Sequence, residues 1–283
     1  YMKIKVLSDS TCDLSDELIH QYDIGIIPLI VMKNEEEFVD GETITPADIF
    51  SHVAAGGSLC STAARSVATF QENFAKYAGD YDGVIHVNIS SDFSSSYQNA
   101  CIAAESFDNV RVIDSRNLST GQGLVVLKAC ELAGTAQDLD ALKSELDAFT
   151  SRVEASFVLD RLDYMVKGGR CSTATALGAN LLNLKPCIGV IDGKMSVVKK
   201  YRGKYDRCLA NYVRDKLEGR EDIDRGILFI THTPVSDACM QAVREAIAQC
   251  GHFEHIYETN AGCTVSCHCG PGTLGVLFVR KEN

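Results

Sequence analysis

Gly83-Val84-Ile85-His86-Val87-Asn88-Ile89, followed at once by Ser90-Ser91-Asp92-Phe93-Ser94-Ser95-Ser96, decides how this chain is read. The first seven residues form a nearly continuous apolar run, the pattern of a strand covered on both faces. The serines then lead into a helical pattern over residues 96–107, so strand, polar turn and helix follow one another as in a parallel sheet with crossover helices. In open α/β sheets, ligands gather at the carboxyl ends of such strands. The first amides and the dipole of the helix that follows favour an anion there.

Working outward, further strands are expected at 4–7, 25–32 and 110–113. Thr45-Pro46 opens a helix with a capping residue and a first-position proline, and Ser15, Thr69 and Asp138 mark other helix starts. Leu139, Leu142, Leu146, Phe149 and Val153 fall on one helical face as ordinary core packing. After about residue 155 the pattern changes. Cys187–Ile191 and Lys194–Val198 flank Asp192-Gly193, a strong signal for a tight β-hairpin. A helix over 207–217, a strand over 226–231, a helix over 237–250 and a final strand over 275–280 complete a second domain with antiparallel pairing. The expected division is residues 1–155 and 156–283.

Composition sets the class. The chain has 283 residues, 46% of them hydrophobic, enough for two packed domains. A formal net charge of -11 argues against a surface that neutralises phosphates, so nucleic acid is not an expected partner. No stretch approaches the ~18 apolar residues of a membrane span. The expectation is a cytoplasmic protein with at most transient membrane contact. Twelve scattered cysteines are read as reduced core thiols. The cluster Cys263, Cys267, His268, Cys269 has zinc-type ligands at short spacing, but no second ligand pair stands at finger-like spacing elsewhere.

Several motifs carry candidate chemistry. Gly270-Pro271-Gly272-Thr273-Leu274-Gly275 matches the dinucleotide fingerprint by letter, yet it enters a final strand instead of a helix, so the nucleotide reading is rejected. A serine hydrolase would use His268 or His86 as base, but no G-x-S-x-G elbow is present. Asp9 and Asp13 read as caps of the following helix. Two hydroxyl clusters remain, Cys60-Ser61-Thr62-Ala63-Ala64-Arg65-Ser66 in a loop and the serines around Ser94 and Ser95. Without a lysine they suit a single carboxylate better than a polyphosphate. They equally suit plain caps and turns. Arg170, after Gly168-Gly169, is a candidate fixed by a turn. Lys199, Lys200, Arg202 and Lys204 form the one dense basic run, either a docking patch or a solvated face.

Taken together, Ser8-Asp9-Ser10-Thr11-Cys12-Asp13-Leu14, Ser90 to Gln98, Ile113-Asp114-Ser115, Gly168-Gly169-Arg170 and His268-Cys269-Gly270-Pro271-Gly272-Thr273 resemble, in order and along the whole chain, the DegV family. The resemblance, which extends to FakB proteins, implies an N-terminal three-layer α/β/α domain with a parallel sheet and a C-terminal two-layer α/β domain with a mixed sheet. It implies a non-enzymatic carrier, without cofactor or metal, that buries a long-chain fatty acid in an apolar tunnel. The carboxylate is then phosphorylated by a separate fatty acid kinase subunit. By the same resemblance the carboxylate lies between Ser61 and Thr62 on one side and Ser94 and Ser95 on the other, with His268 and Arg170 nearby, and Arg202 matches a kinase-contacting position. This chain departs from the family where Ala63-Ala64 replaces a Gln-Pro pair and Ser95 replaces a glycine. The alternative from the residues is an esterase or acyl transferase that uses Ser94 or Ser95 with His268.

Overall fold

The apolar run that opens at Gly83 lies in the interior of a four-stranded parallel sheet, and the computed structural model describes that sheet within residues 1–177 and 183–283 of the chain. The N-terminal part runs β1 (Ile4–Asp9), α1 (Asp16–Gln21), β2 (Gly25–Ile27), β3 (Ile30–Lys33), β4 (Glu36–Val39), α2 (Pro46–Ala54), β5 (Ser61–Ala63) and α3 (Val67–Ala78). It continues through β6 (Gly83–Asn88), α4 (Ser96–Ala104), β7 (Val110–Asp114), α5 (Ser119–Ala133) and α6 (Leu139–Phe149). The strand order is β2-β1-β6-β7, parallel throughout. Alternate side chains go to opposite faces. Leu7, Val84, Val110 and Val112 pack on Phe70, Phe74, Ala100 and Ala103 of α3 and α4, while Val6, Ile85, Val87 and Ile113 pack on α5 and α6.

The strand expected over 25–32 is two strands. Pro28 has no amide to donate and breaks the ladder. β2 stays in the parallel sheet, whereas β3 turns away to form a separate antiparallel sheet of order β4-β3-β5. The hydroxyl segment expected as a loop is partly an edge strand of that sheet, with Thr62 opposite Val31. Ser15, Thr45 and Asp138 do cap α1, α2 and α6, but α3 starts at Ser66, whose hydroxyl accepts from the Thr69 amide. Asp9 caps the single 3-10 turn Ser10–Cys12, accepting from the Thr11 amide at 2.8 Å, and also accepts from the Ile89 amide at 2.6 Å, whereas Asp13 accepts from the Ser119 hydroxyl at 2.7 Å; neither caps α1.

The C-terminal part comprises β8 (Val153–Val158), α7 (Asp163–Gly168), α8 (Ser172–Leu177), β9 (Leu184–Ile191), β10 (Lys194–Arg202), α9 (Tyr205–Leu217), β11 (Ile223–His232), α10 (Asp237–Gln249), β12 (His255–Asn260), α11 (Cys263–Cys269) and β13 (Leu274–Arg280). Its six strands form a mixed sheet, β10-β9-β8-β13-β11-β12, in which only β11 and β12 run parallel. Asp192 and Gly193 turn the β9–β10 hairpin with φ of 51° and 78°, both in the left-handed region that a tight two-residue turn demands. Helices α9 and α10 cover one face of this sheet. No helix among the described residues is long and apolar enough to cross a membrane.

Helix α5 lies between the two sheets, packing on Val6, Ile85 and Val87 from one and on Ala155, Phe229 and Leu277 from the other. All nine positions from Ser119 to Leu127 are buried. No polar face exists, so helical periodicity does not reveal it. Helix propensity differs by only a few tenths of a kcal/mol per ordinary residue, whereas burying a Val or Leu contributes about 1.5–3 kcal/mol, so packing decides this element. Gly123 permits the close approach: a Cβ there would stand 2.8 Å from the Cys12 carbonyl oxygen. Gly123→Ala gains up to about 1 kcal/mol in helix propensity and loses about 1–3 kcal/mol to overpacking against rigid backbone. The expected net result is a lower midpoint of urea unfolding; an unchanged or higher midpoint would show that α5 has room to shift.

Candidate functional site

Two segments distant in sequence meet where β5 faces α11. Thr62 Oγ1 lies 2.8 Å from His268 Nε2. The His268 ring fits against Gly168, where any side chain would strike Nδ1. Gly169 then turns the chain out of α7 with a φ of +68°, and this places Arg170 at the rim. The Arg170 guanidinium donates to the carbonyls of Gly168 at 2.7 Å and Phe93 at 3.3 Å, joining the α7 turn to the loop after β6.

An inner cavity of about 90 Å³ opens between these groups. Thr62, Ser94, Ser95, Arg170 and His268 contribute to its polar end, and Leu29, Ile89, Phe93, Leu118, Met195 and Val265 to its apolar walls. A second, smaller cavity of about 20 Å³ shares Leu118 and Val265 with it and lies against the mixed sheet, bordered by Ala155, Phe157, Val190 and Leu277. Polar mouth and apolar interior are therefore in line. Larger clefts of about 560 and 470 Å³ lie elsewhere, but their walls carry Arg116, Glu154, Asp215, Arg220, Lys128 and Glu131. Charged walls of both signs do not suit an apolar guest.

Of the residues expected from sequence, Thr62, Ser94, Ser95, His268 and Arg170 converge on the inner cavity. Ser61 is exposed and does not line it. Arg202 is exposed at the far end of β10 from the lining residue Met195. Seven steps along the strand separate them, roughly 23 Å. Sequence reading missed the apolar wall, whose residues come from five separate segments and carry no shared motif. It also missed Thr264, on the same helix as His268.

Ser95 precedes α4 without making a side-chain cap, and the first turn of α4 holds no acidic residue. The positive end of the helix is thus uncompensated beside the cavity. Ser94 Oγ accepts from the Ser96 amide at 3.1 Å. Burial, helped by the nearby Arg170 charge, pushes the His268 imidazole down to about 4. His268 is therefore neutral near pH 7. Since its native pKa lies below the ordinary 6.5, the unfolded chain takes up this proton first, and the contribution of His268 to stability falls as pH drops from about 6.5 toward 4.

The second histidine considered as a base, His86, is fully buried, with Phe70 and Phe74 edge-on at 5.4 and 5.5 Å and Nε2 3.0 Å from Asn88 Oδ1. It is a core residue and does not line the cavity. The serine–histidine pairing does not form either: His268 Nε2 meets Thr62, not Ser94 or Ser95. The cysteines near His268 diverge. Cys263 and Cys267, one turn apart, pack with Cys60, Val31 and Ile49, whereas Cys269 packs with Met165, Cys171 and Leu159. Among the described residues no group of three or more His, Cys, Asp or Glu is placed to hold a metal ion.

Residues 3–281 match a family model described as an uncharacterised protein of the DegV family. A DegV domain-containing protein from Clostridium perfringens is 31% identical over 283 residues, covering 99% of both chains. A solved structure from Thermus thermophilus, described as showing fatty acid binding of a DegV family protein, superposes with a TM-score of 0.89 at 29% identity, over 99% of this chain and 100% of the other. The Bacillus subtilis DegV structure, described as a fatty acid binding protein, gives a TM-score of 0.81 at 26% identity over 99% and 100%.

An anion bound beside His268 offsets the Arg170 field and favours the imidazolium. A carboxylate ligand held in this cavity is therefore expected to raise the His268 pKa above about 4 in an NMR titration of the histidine ring signals. An unchanged titration with such a ligand bound would place its charge elsewhere.

Proposed function

The chain belongs to the DegV family, and we propose that it buries a long-chain fatty acid and presents the carboxylate to a separate acyl kinase. One observation carries this reading: a hydroxyl–imidazole mouth with an uncompensated helix end adjoins, across Leu118 and Val265, a second and apolar cavity against the mixed sheet. The Thermus and Bacillus relatives described as fatty acid binding proteins support it.

The residues act as follows in this reading. With its proton on Nε2, neutral His268 donates to Thr62, which leaves the Thr62 hydroxyl proton free for a carboxylate oxygen. Ser95 and the first amides of α4 meet the same head group, as charge-assisted hydrogen bonds. The tail passes Leu118 and Val265. Each buried methylene contributes about 0.8 kcal/mol, so a long tail supplies most of the affinity and the head group sets its direction. Ligand sites usually measure about 300–1,000 Å³; the acyl chain therefore spreads the walls at Leu118 and Val265 as it enters. The protein supplies no base of its own for chemistry. Its two domains, expected at residues 1–155 and 156–283, divide in this reading just before β8, since that strand (Val153–Val158) pairs within the mixed sheet, and the protein works in the cytoplasm.

Solvent extraction and gas chromatography of the purified protein, alongside native mass spectrometry, test the carrier reading. About one long-chain acid per chain is expected; a protein that is empty and takes up no added palmitate would refute it. Replacing Thr62 and Ser95 together by alanine removes two charge-assisted bonds of about 1.5–3 kcal/mol each and is expected to weaken retention at least tenfold without unfolding the chain. Equal retention would remove these residues from the site.

Exposure of Ser95 and Arg170 leaves the head group within reach of a partner. Lys200, Arg202 and Lys204 are exposed cations in an acidic chain, though Lys199 is already paired with Asp215. A standard interface of about 800 Å² per partner spans the distance from the mouth to Arg202. Arg202→Glu is expected to slow kinase-dependent acyl-phosphate formation while fatty acid retention stays the same. Unchanged phosphorylation would place the docking face elsewhere.

A further inference from the structure

One polar residue of the cavity wall, Thr264, makes none of these head-group contacts. Thr264 is only 7% exposed, and among the described residues lining the inner cavity it alone holds a buried side-chain oxygen without a hydrogen-bond partner. The other wall hydroxyls of the mouth are differently placed: Thr62 meets His268, Ser94 accepts from Ser96, and Ser95 is exposed. Ser266 also has an unpartnered Oγ, but it does not line the cavity.

The position of Thr264 explains both its burial and its lack of a partner. It is the second residue of α11. The helix supplies no carbonyl one turn earlier to accept its hydroxyl proton, which is the usual outlet for a mid-helix threonine. Thr264 and His268 are four residues apart, so their side chains share one face with Cβ atoms about 5–6 Å apart. Thr264 borders the inner cavity but not the deeper one, where the tail would end. A hydroxyl buried without a partner is unfavourable unless something completes it. Thr264 borders the inner cavity together with Thr62 and Val265.

We infer that Thr264 donates a hydrogen bond to the bound carboxylate, on the oxygen opposite the one held by Thr62. The inference rests on the fatty acid reading and assigns Thr264 as a head-group ligand of that site. Thr62 and Thr264 then hold the two carboxylate oxygens from β5 and from α11, and the orientation of the head group is fixed from two elements instead of one.

The test is palmitate affinity of delipidated protein, wild type against Thr264→Val and Thr264→Ser, with methyl palmitate as the uncharged control. Valine keeps the branched shape without the hydroxyl. The inference predicts about tenfold weaker palmitate binding in Thr264→Val, the loss of one hydrogen bond to a charged group. It predicts near wild-type binding in Thr264→Ser and a far smaller change with methyl palmitate. Palmitate binding that is equal or tighter in Thr264→Val overturns it and makes the hydroxyl a packing cost. Equal losses for acid and ester also overturn it, because they report shape and not charge. If Thr264→Val does not fold, the serine variant decides, since a hydroxyl ligand survives that change and weaker binding of palmitate alone contradicts the assignment. Wild-type protein that fails to bind palmitate sinks the fatty acid reading itself, a result distinct from each of these.

Discussion

The burial of α5 between two sheets is the constraint on which the rest of the structure depends. Its flanks touch the parallel sheet through Val6, Ile85 and Val87 and the mixed sheet through Ala155, Phe229 and Leu277. A helix buried on every side from Ser119 to Leu127 has no stable place in water on its own, so each half of the chain completes the covering that the other half lacks. Polar ties set its rotation. Ser119 donates to Asp13, the Thr120 and Thr231 hydroxyls hydrogen-bond to each other at 2.6 Å, and Gln122 donates to Ser8 at 3.0 Å. These bonds reach into both sheets, and buried bonds of this kind are costly to break singly.

The candidate site is a consequence of that arrangement. Leu118, the residue before α5, borders both the inner and the deeper cavity. Two sheets held apart by one helix leave a gap beside its first turn, and the gap is closed at the outside by the Ser94 loop, β5 and α11. Asp13 sits below this region, burial raising its carboxyl to about 8, while burial lowers His268 to about 4. Both groups are thus held neutral near pH 7, and Arg170 is the charged side chain among the cavity lining. A carboxylate would enter a place with one nearby cation and several neutral donors, which orients an anion without locking it into a salt bridge.

Much of the fold is legible in the sequence, for local reasons. Gly83–Asn88 is apolar on both faces because helices cover both, and Asp192-Gly193 takes the left-handed angles its letters suggest. The failures are equally physical. Helix α5 hides because burial on every side erases its periodicity, and the split at Pro28 hides because both halves are apolar. At the site, hydroxyl-rich motifs point to Thr62, Ser94 and Ser95, and the resemblance to the DegV family adds His268 and Arg170. The apolar wall stays invisible because Leu29, Ile89, Leu118, Met195 and Val265 are ordinary core letters whose common cavity exists only after folding. Thr264 was within reach of reasoning, four residues before His268 on one helical face, but no letter pattern marks a hydroxyl that lacks a partner.

The most direct measurement is a crystal structure of the protein with palmitate. The account predicts the carboxylate within hydrogen-bonding distance of Thr62 Oγ1, and the tail running past Leu118 and Val265 between the sheets beside the first turn of α5. Density for the acid in one of the outer clefts, or with its tail toward the mouth and its carboxylate inside, would contradict the account.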